Sequence, residues 1–195
     1  MVLNFLNMLA ESFDLPILDW IAEHLWCDFL DVAMPIITMF GDDGIFWIAV
    51  ALLLMATKKY RKAGFAMGAA MMIGLLVCNV ILKPLVGRIR PYDYQWEVYG
   101  REILLLTDRM HDYSFPSGHT IASFEACTAL MIYDKKLGIP ATVLAVLVAF
   151  SRLYLYLHYP TDVLFSVVAG IAIAYLGSWI VETIWKKVSA RKASK

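Results

Sequence analysis

Long apolar stretches separated by short charged intervals set the pattern of this chain. Residues 64–82, 139–157 and 163–181 are apolar on all sides. At about 1.5 Å per residue each can cross a hydrocarbon layer roughly 30 Å thick. Residues 117–133 form a slightly shorter stretch that carries Glu125, and 45–57 is shorter still, short enough to be re-entrant by length alone. Lys58, Lys59 and Tyr60 extend it by reaching to the interface. Between residues 15 and 40 the apolar run is interrupted by Asp19, Glu23, Asp28, Asp31 and Pro35. That segment is expected to be an interfacial helix bearing Trp20 and Trp26, followed by a short span ending at Gly41. A water-soluble bundle would give each helix a polar face at a period near 3.6, and these segments have none. The expected fold is all-α: a polytopic membrane helical bundle of about six transmembrane helices with an N-terminal interfacial helix.

Composition agrees with that pattern. Of the 195 residues 61% are hydrophobic, against roughly 45–50% in soluble domains. Seventeen basic and 17 acidic residues cancel, which removes any case for nucleic-acid binding. One membrane domain over 1–195 is expected, with an interfacial segment at 1–30, an extracytoplasmic loop at 92–115 and a basic tail at 186–195. The first eleven residues lack the basic region and long apolar core of a cleavable signal peptide. Cys27, Cys78 and Cys127 lack metal-ligand spacing and read as small apolar residues. Lys58, Lys59, Arg61 and Lys62 fall in one loop, Lys135 and Lys136 in another, and Lys186, Lys187, Arg191, Lys192 and Lys195 in the tail. Six crossings put all of these on one side, which the positive-inside bias makes cytoplasmic. A multi-pass cell-membrane protein with a cytoplasmic C-terminus is therefore expected. Lys83, Arg88, Arg90, Arg101, Arg109 and Arg152 then face outward, where a basic cluster calls for a local anion, and phosphate is the natural one.

Three separated blocks carry candidate chemistry. Lys83 ends an apolar stretch and Arg90 precedes Pro91, which restricts Arg90 to extended geometry. A guanidinium offers a planar fork to two phosphate oxygens, and an ammonium a point charge. Taken alone, the two read first as interfacial anchors at a helix end. Pro116-Ser117-Gly118-His119 reads as a helix start. Ser117 caps it, the free N–H groups of its first turn suit an anion, and Gly118 lets an oxygen approach the main chain. Ser151-Arg152 precedes His158, and Asp162 stands four residues beyond that histidine across Pro160. A carboxylate so placed can accept one imidazole N–H and leave the other nitrogen free to attack phosphorus, although a purely structural pair has the same spacing. The inventory suits phosphoryl transfer through histidine without a metal or other cofactor.

The spacing Lys-x6-Arg-Pro, then Pro-Ser-Gly-His, then Ser-Arg-x5-His-x3-Asp resembles the signature of the type-2 phosphatidic acid phosphatase superfamily of membrane lipid phosphatases. Every specified position between Lys83 and Asp162 is met, and the short outer loop is similar to small bacterial members. The resemblance implies catalytic roles for His158 (nucleophile), His119 (acid and base) and Asp162, with phosphate binding by Lys83, Arg90, Ser117, Gly118 and Arg152. It also implies an active site on the extracytoplasmic side and a lipid phosphate or pyrophosphate as substrate. Undecaprenyl pyrophosphate is the first choice, then phosphatidic acid or phosphatidylglycerol phosphate. The rival is a lipid-phosphate transporter or flippase that binds with the same cations and does not hydrolyse. Oligomeric state is not readable from the sequence.

Glu125 lies within an apolar stretch, where a charge costs about 2.5–3.5 kcal/mol, so it is expected to be neutral, paired or facing a wet cavity. Its proton is expected to be shared with Asn79 or Thr128 in a structural hydrogen bond, with a substrate or proton-path role as the alternative. Tyr92, Tyr94, Trp96 and Tyr99 are candidates for an aromatic rim or an interfacial belt. Gly41-Asp42-Asp43-Gly44 reads as an outer turn, and Gly64 and Gly68 as sites of close helix packing. His24 and His111 receive no role.

Overall fold

The computed structural model describes residues 2–193, and Lys195 of the expected basic tail lies outside them. Ten α-helices, joined in places by 3-10 and π turns, account for the regular structure, with no strand among the described residues. The long ones are α4 (Ile45–Ala56), α5 (Arg61–Gly74), α8 (Gly118–Tyr133), α9 (Lys135–Tyr154) and α10 (Pro160–Ala193). Helix α5 runs on through a π turn, Leu75–Leu82, into α6 (Lys83–Val86). These long helices pass between the two ends of the bundle in alternating directions. Lys62 near the start of α5 pairs with Glu182 late in α10 at 2.6 Å, which fixes one end. The basic loops at 58–62 and 135–136 and residues 186–191 gather there. The motif blocks gather at the other.

Helix α8 sits at the centre, packed on α5, α9 and α10. Its side chains from His119 to Leu130 are nearly all buried, which explains how a helix of 16 residues holds Glu125 away from lipid. The outer faces of its neighbours stay apolar and exposed, as at Leu52, Leu53, Val80, Val143 and Val168, so the bundle presents hydrocarbon outward. Close helix contact depends on small residues, as expected for Gly64: a Cβ there would meet the Ala51 carbonyl of α4 at 2.7 Å.

The N-terminal region departs from expectation. Helices α1 (Val2–Leu9) and α2 (Leu15–Leu25), joined by the π turn Ala10–Asp14, bury Leu15, Leu18 and Ile21 at helical spacing and leave Phe13 and Trp20 exposed. This is the segment expected to be interfacial. Helix α3 (Asp28–Thr38), expected to be the first span, instead has both ends on the last turn of α9. Tyr154 donates to Asp31 at 2.6 Å near its start, and Arg152 donates to Thr38 at 2.6 Å at its end. A helix whose ends meet residues two positions apart lies across the motif end and does not run the length of the bundle. Helices α4, α5, α8, α9 and α10 therefore connect the ends and residues 2–38 roof the site; among the described residues four segments, 28–56, 61–99, 135–154 and 160–191, are long and apolar enough to cross a membrane. The acidic residues and Pro35 that interrupt this segment suit an interfacial roof better than a span.

The expected loop at 92–115 begins with a helix, α7 (Pro91–Tyr99), with proline in its first turn and left-handed Gly100 at its end. Tyr92 and Tyr94 belong to the core under the roof, so they form no rim, whereas Trp96 and Tyr99 are exposed.

Candidate active site

The strap between α9 and α10 places His158. At the end of α9 the amides of Leu157 and His158 both donate to the Arg152 carbonyl, and Tyr156 takes a left-handed φ of 58°. The Tyr156 hydroxyl donates to Asp19 at 3.0 Å and accepts from Gln95 at 2.8 Å, which ties the strap to the roof and to α7. Pro160 then opens α10, and Asp162 in its first turn accepts the Tyr159 amide at 3.2 Å.

Around His158 the donors fix the tautomer. Arg90 Nη1 lies 3.2 Å from His158 Nε2. A guanidinium only donates, so Nε2 carries a lone pair and the proton is on Nδ1. The expected direct bond from Nδ1 to Asp162 is absent at 3.7 Å. Ser114 stands between them: Nδ1–H donates to its Oγ at 3.5 Å, and that hydroxyl donates to Asp162 Oδ2 at 2.5 Å. Burial, then the charges of Arg90, Arg152 and Lys83, holds the His158 imidazole well below its usual range, so the ring is neutral.

Asp162 is itself held by Arg88. This fully buried guanidinium donates to Asp162 Oδ1 at 2.5 Å, to Thr161 Oγ1 at 2.8 Å, to Asp14 Oδ2 at 2.7 Å and to the Leu6 carbonyl at 3.0 Å. Its flat face covers the Tyr159 ring, 3.7 Å from the centroid. Left-handed Gly87 ends α6, and the extended backbone at Arg90 points the two arginines apart. Arg88 goes to the buried base of the site and Arg90 to its opening.

The Pro116–His119 block forms as read. Ser117 caps α8, accepting from the Thr120 amide at 3.5 Å and the Thr120 hydroxyl at 3.0 Å. Its own amide donates to Ser166 Oγ of α10 at 2.9 Å, so the helix start is tied to the element carrying Asp162. His119 Nε2 meets Asp42 Oδ1 at 2.7 Å.

Lys83, Arg90, Gly118, His119 and His158 line one cavity of about 500 Å³. Arg152 lies behind it beside a second hollow that Thr38 and Asp42 also line, and Ser117 and Asp162 are buried beneath. The Asp112 carboxylate bridges the cations, accepting from Arg90 Nη2 at 2.5 Å and from Lys83. Burial pushes its carboxyl up, but the hydrogen bonds and charges of Lys83 and Arg90 outweigh this and hold it at about 2. The anion that those cations accept here is a side chain of the chain itself.

Arg88, Ser114, Asp42, Asp112 and Asp14 escape the sequence reading. For Arg88, its position two residues before Arg90 is the available signal. The others are polar residues in ordinary-looking segments, and their partners are distant in sequence.

The PAP2 superfamily model matches residues 59–186, which includes all three blocks. An undecaprenyl-diphosphatase of Sulfolobus acidocaldarius is 34% identical over 152 residues, covering 77% of this chain and 67% of that protein. The undecaprenyl-diphosphatase BcrC of Bacillus subtilis is 30% identical, covering 75% of this chain and 72% of that protein. Among solved structures, a transmembrane PAP2-type phosphatidylglycerolphosphate phosphatase from Bacillus subtilis superposes with a TM-score of 0.66 at 25% identity, covering 90% of this chain and 87% of that one. With the blocks converging on one cavity at the end of an apolar bundle, this chain belongs to the PAP2 superfamily and is a membrane lipid phosphatase.

Proposed function

We propose that the protein hydrolyses a lipid phosphate or diphosphate through a phosphohistidine at His158. The observation that carries this reading is the 3.2 Å approach of Arg90 Nη1 to the lone pair on His158 Nε2. A phosphate held by that guanidinium places phosphorus within reach of a neutral, desolvated nucleophile. Lys83, Arg90 and the Gly118 amide receive the equatorial oxygens, on which transition-state charge is spread, while Arg152 adds positive charge from behind the cavity and Ser117 caps the helix that presents the amide. His119 protonates the leaving oxygen, then takes a proton from the water that releases phosphate. Asp162, acting through Ser114, keeps the proton on Nδ1 and offsets the charge that ring gains.

The lipid enters from the side. The cavity continues from the phosphate site between α4, α5 and α8, past Leu52 and Met72, so a tail can lie among the helices with its head group at the cations. The named activities of the two relatives support a polyprenyl diphosphate as first substrate, ahead of phosphatidic acid and phosphatidylglycerol phosphate. The basic residues at the far end of the bundle support an extracytoplasmic site in the cell membrane, with a cytoplasmic C-terminus. A transporter needs the cations but has no use for a histidine with a fixed tautomer.

Phosphate release by the purified protein, measured across lipid mono- and diphosphates, tests the proposal. Turnover should be abolished in His158→Ala and blocked by vanadate, and acid-labile radioactive phosphate should appear on the wild-type chain. Lipid binding without phosphate release would establish the transporter instead.

A further inference from the structure

The second histidine has a carboxylate of its own, and that carboxylate comes from outside the segment matching the family model. Residues 39–44 form a tight 3-10 turn between α3 and α4, with Asp43 at φ 48° and Gly44 at φ 66°. The turn is built against His119. A Cβ on Gly41 would stand 2.7 Å from His119 Cδ2 and 2.9 Å from Val148 Cγ1, so only glycine lets the backbone approach the ring this closely. The next residue, Asp42, puts Oδ1 at 2.7 Å from His119 Nε2. Thr38, one residue before the turn, accepts from Arg152 at 2.6 Å. Two side chains of residues 38–42 thus hold members of two different motif blocks.

With Nε2 engaged by Asp42, the nitrogen of His119 left for the leaving group is Nδ1. Other charged groups face the ring: Arg152 from α9, and Arg90 from the segment after α6. His158, from the strap, lines the same cavity. Arg152 and Arg90 bring positive charge near the ring, and Asp42 is the anion in direct contact with its Nε2. A carboxylate that accepts one imidazole N–H orients the ring and raises the basicity of the other nitrogen.

We propose that Asp42 is the positioning residue of the acid–base histidine, which makes the site a pair of imidazole–carboxylate couples facing each other across the phosphorus. This rests on the phosphohistidine reading above. In the first step the Nε2 lone pair of His158 forms the N–P bond, and the P–O bond to the lipid breaks. The leaving oxygen takes the bonding pair and the proton from His119 Nδ1. In the second step water oxygen forms the new P–O bond, the N–P pair returns to His158, and His119 Nδ1 takes the proton from water. Asp42 holds Nε2–H through both steps.

Two substrates with the same tail separate this role from a merely structural one: dodecyl phosphate, whose alkoxide needs a proton to leave, and dodecylphenyl phosphate, whose phenoxide needs little help. General acid catalysis contributes roughly 10²–10⁴-fold. Asp42→Asn should therefore lower kcat on the alkyl ester by about 10²-fold and on the aryl ester by less than about 10-fold. The alkaline limb of kcat should move to lower pH, because the imidazolium loses the anion that stabilises it. Asp42→Glu, which keeps the charge, should recover part of the alkyl activity and the position of the limb. Equal losses on both esters with an unmoved limb, or no loss on either, would overturn the proposal while leaving the phosphoenzyme at His158 standing. Release of phosphate from neither ester by the wild type would overturn the phosphohistidine reading, and the role of Asp42 with it.

Discussion

Arg88 and Asp162 are joined by a 2.5 Å hydrogen bond in the fully buried base of the site, where neither reaches solvent. The same guanidinium satisfies Asp14 from the N-terminal roof, so one cation compensates two buried carboxylates. Removing one partner of such a pair leaves charge uncompensated and costs about 3–5 kcal/mol. Arg88→Ala should therefore destabilise the protein by about that amount in detergent, measured by chemical unfolding. Arg88→Ala combined with Asp14→Asn should lose less than the sum of the two single changes, because the residues share one network. Strict additivity would show that the roof is not coupled to Asp162 through Arg88.

A second prediction concerns Asp112, whose carboxylate occupies the cations proposed to bind phosphate. On that proposal substrate displaces Asp112 from Lys83 and Arg90. Asp112→Asn removes this competing anion, so half-inhibition by vanadate should occur at about tenfold lower concentration, a difference of roughly 1.4 kcal/mol. Turnover at saturating lipid should change little, since both cations remain. The Asp112 carboxyl is held at about 2, below its ordinary value. A depressed carboxyl contributes stability that is present above pH ~4 and is lost as pH falls through its folded value. The wild type should accordingly lose an increment of stability between about pH 4 and 2 that Asp112→Asn lacks, measured as thermal midpoint against pH.

Third, Glu125 should influence which tail the cavity accepts. Its carboxyl lies against Gly74, where a Cβ would collide with Oε1, and Oε1 has no hydrogen-bond partner among the described residues. Higher in the same cavity, Asn79 lies beside Gly118, and its Oδ1 is likewise without a partner among them. The expected bond between Asn79 and Glu125 is thus not made. A lipid whose ester carbonyl reaches this wall gives the acid an acceptor, whereas a polyprenyl chain gives it none. An unmet buried polar group costs about 1–3 kcal/mol. Glu125→Leu should then raise kcat/KM for a polyprenyl diphosphate relative to phosphatidic acid by about tenfold. Glu125→Gln should leave the ratio nearly unchanged, and so would Glu125→Leu if the carboxyl never meets the lipid. Gly74→Ala has no room for its methyl group and should destabilise by about 1–3 kcal/mol.

What the sequence made legible follows from where the information lies. Lys83, Arg90, Ser117, Gly118, His119, Arg152, His158 and Asp162 stand at helix ends marked by proline, glycine or a capping serine, and the apolar stretches between them bring those ends to one side. The spans are legible for the same reason, because lipid demands apolar residues over a fixed length. Helix α3 lies across the motif end where a short span was expected, and length and hydropathy alone do not separate those two settings. The partner carboxylates are invisible for a different reason. Asp14 meets Arg88 across 74 positions, and Asp42 meets His119 across 77. Only packing of the roof on the bundle brings them together, and no local pattern encodes it.

The last prediction concerns the acid limb of activity. His158 is neutral in the free protein because burial, then Arg90, Arg152 and Lys83, disfavours its charged form. A free imidazole near 6.5 would be half protonated at that pH and lose its nucleophilic lone pair. Here the lone pair should persist at lower pH, so the acid limb of kcat/KM should lie below 6.5. Replacing Arg90 with methionine removes a cation 3.2 Å from Nε2, and the limb should shift to higher pH even as the overall rate falls by roughly 10²–10³. The stability change has the corresponding sign. A histidine whose folded value is depressed contributes stability that is present above its unfolded value near 6.5 and is lost as pH falls toward the folded one. Arg90→Met should therefore reduce the stability lost as pH falls below about 6.5. The test is the profile of kcat/KM against pH for wild type and variant on one lipid. A wild-type limb at or above 6.5, or a limb unmoved by the loss of Arg90, would show that the approach of the guanidinium to Nε2 does not keep His158 ready to attack.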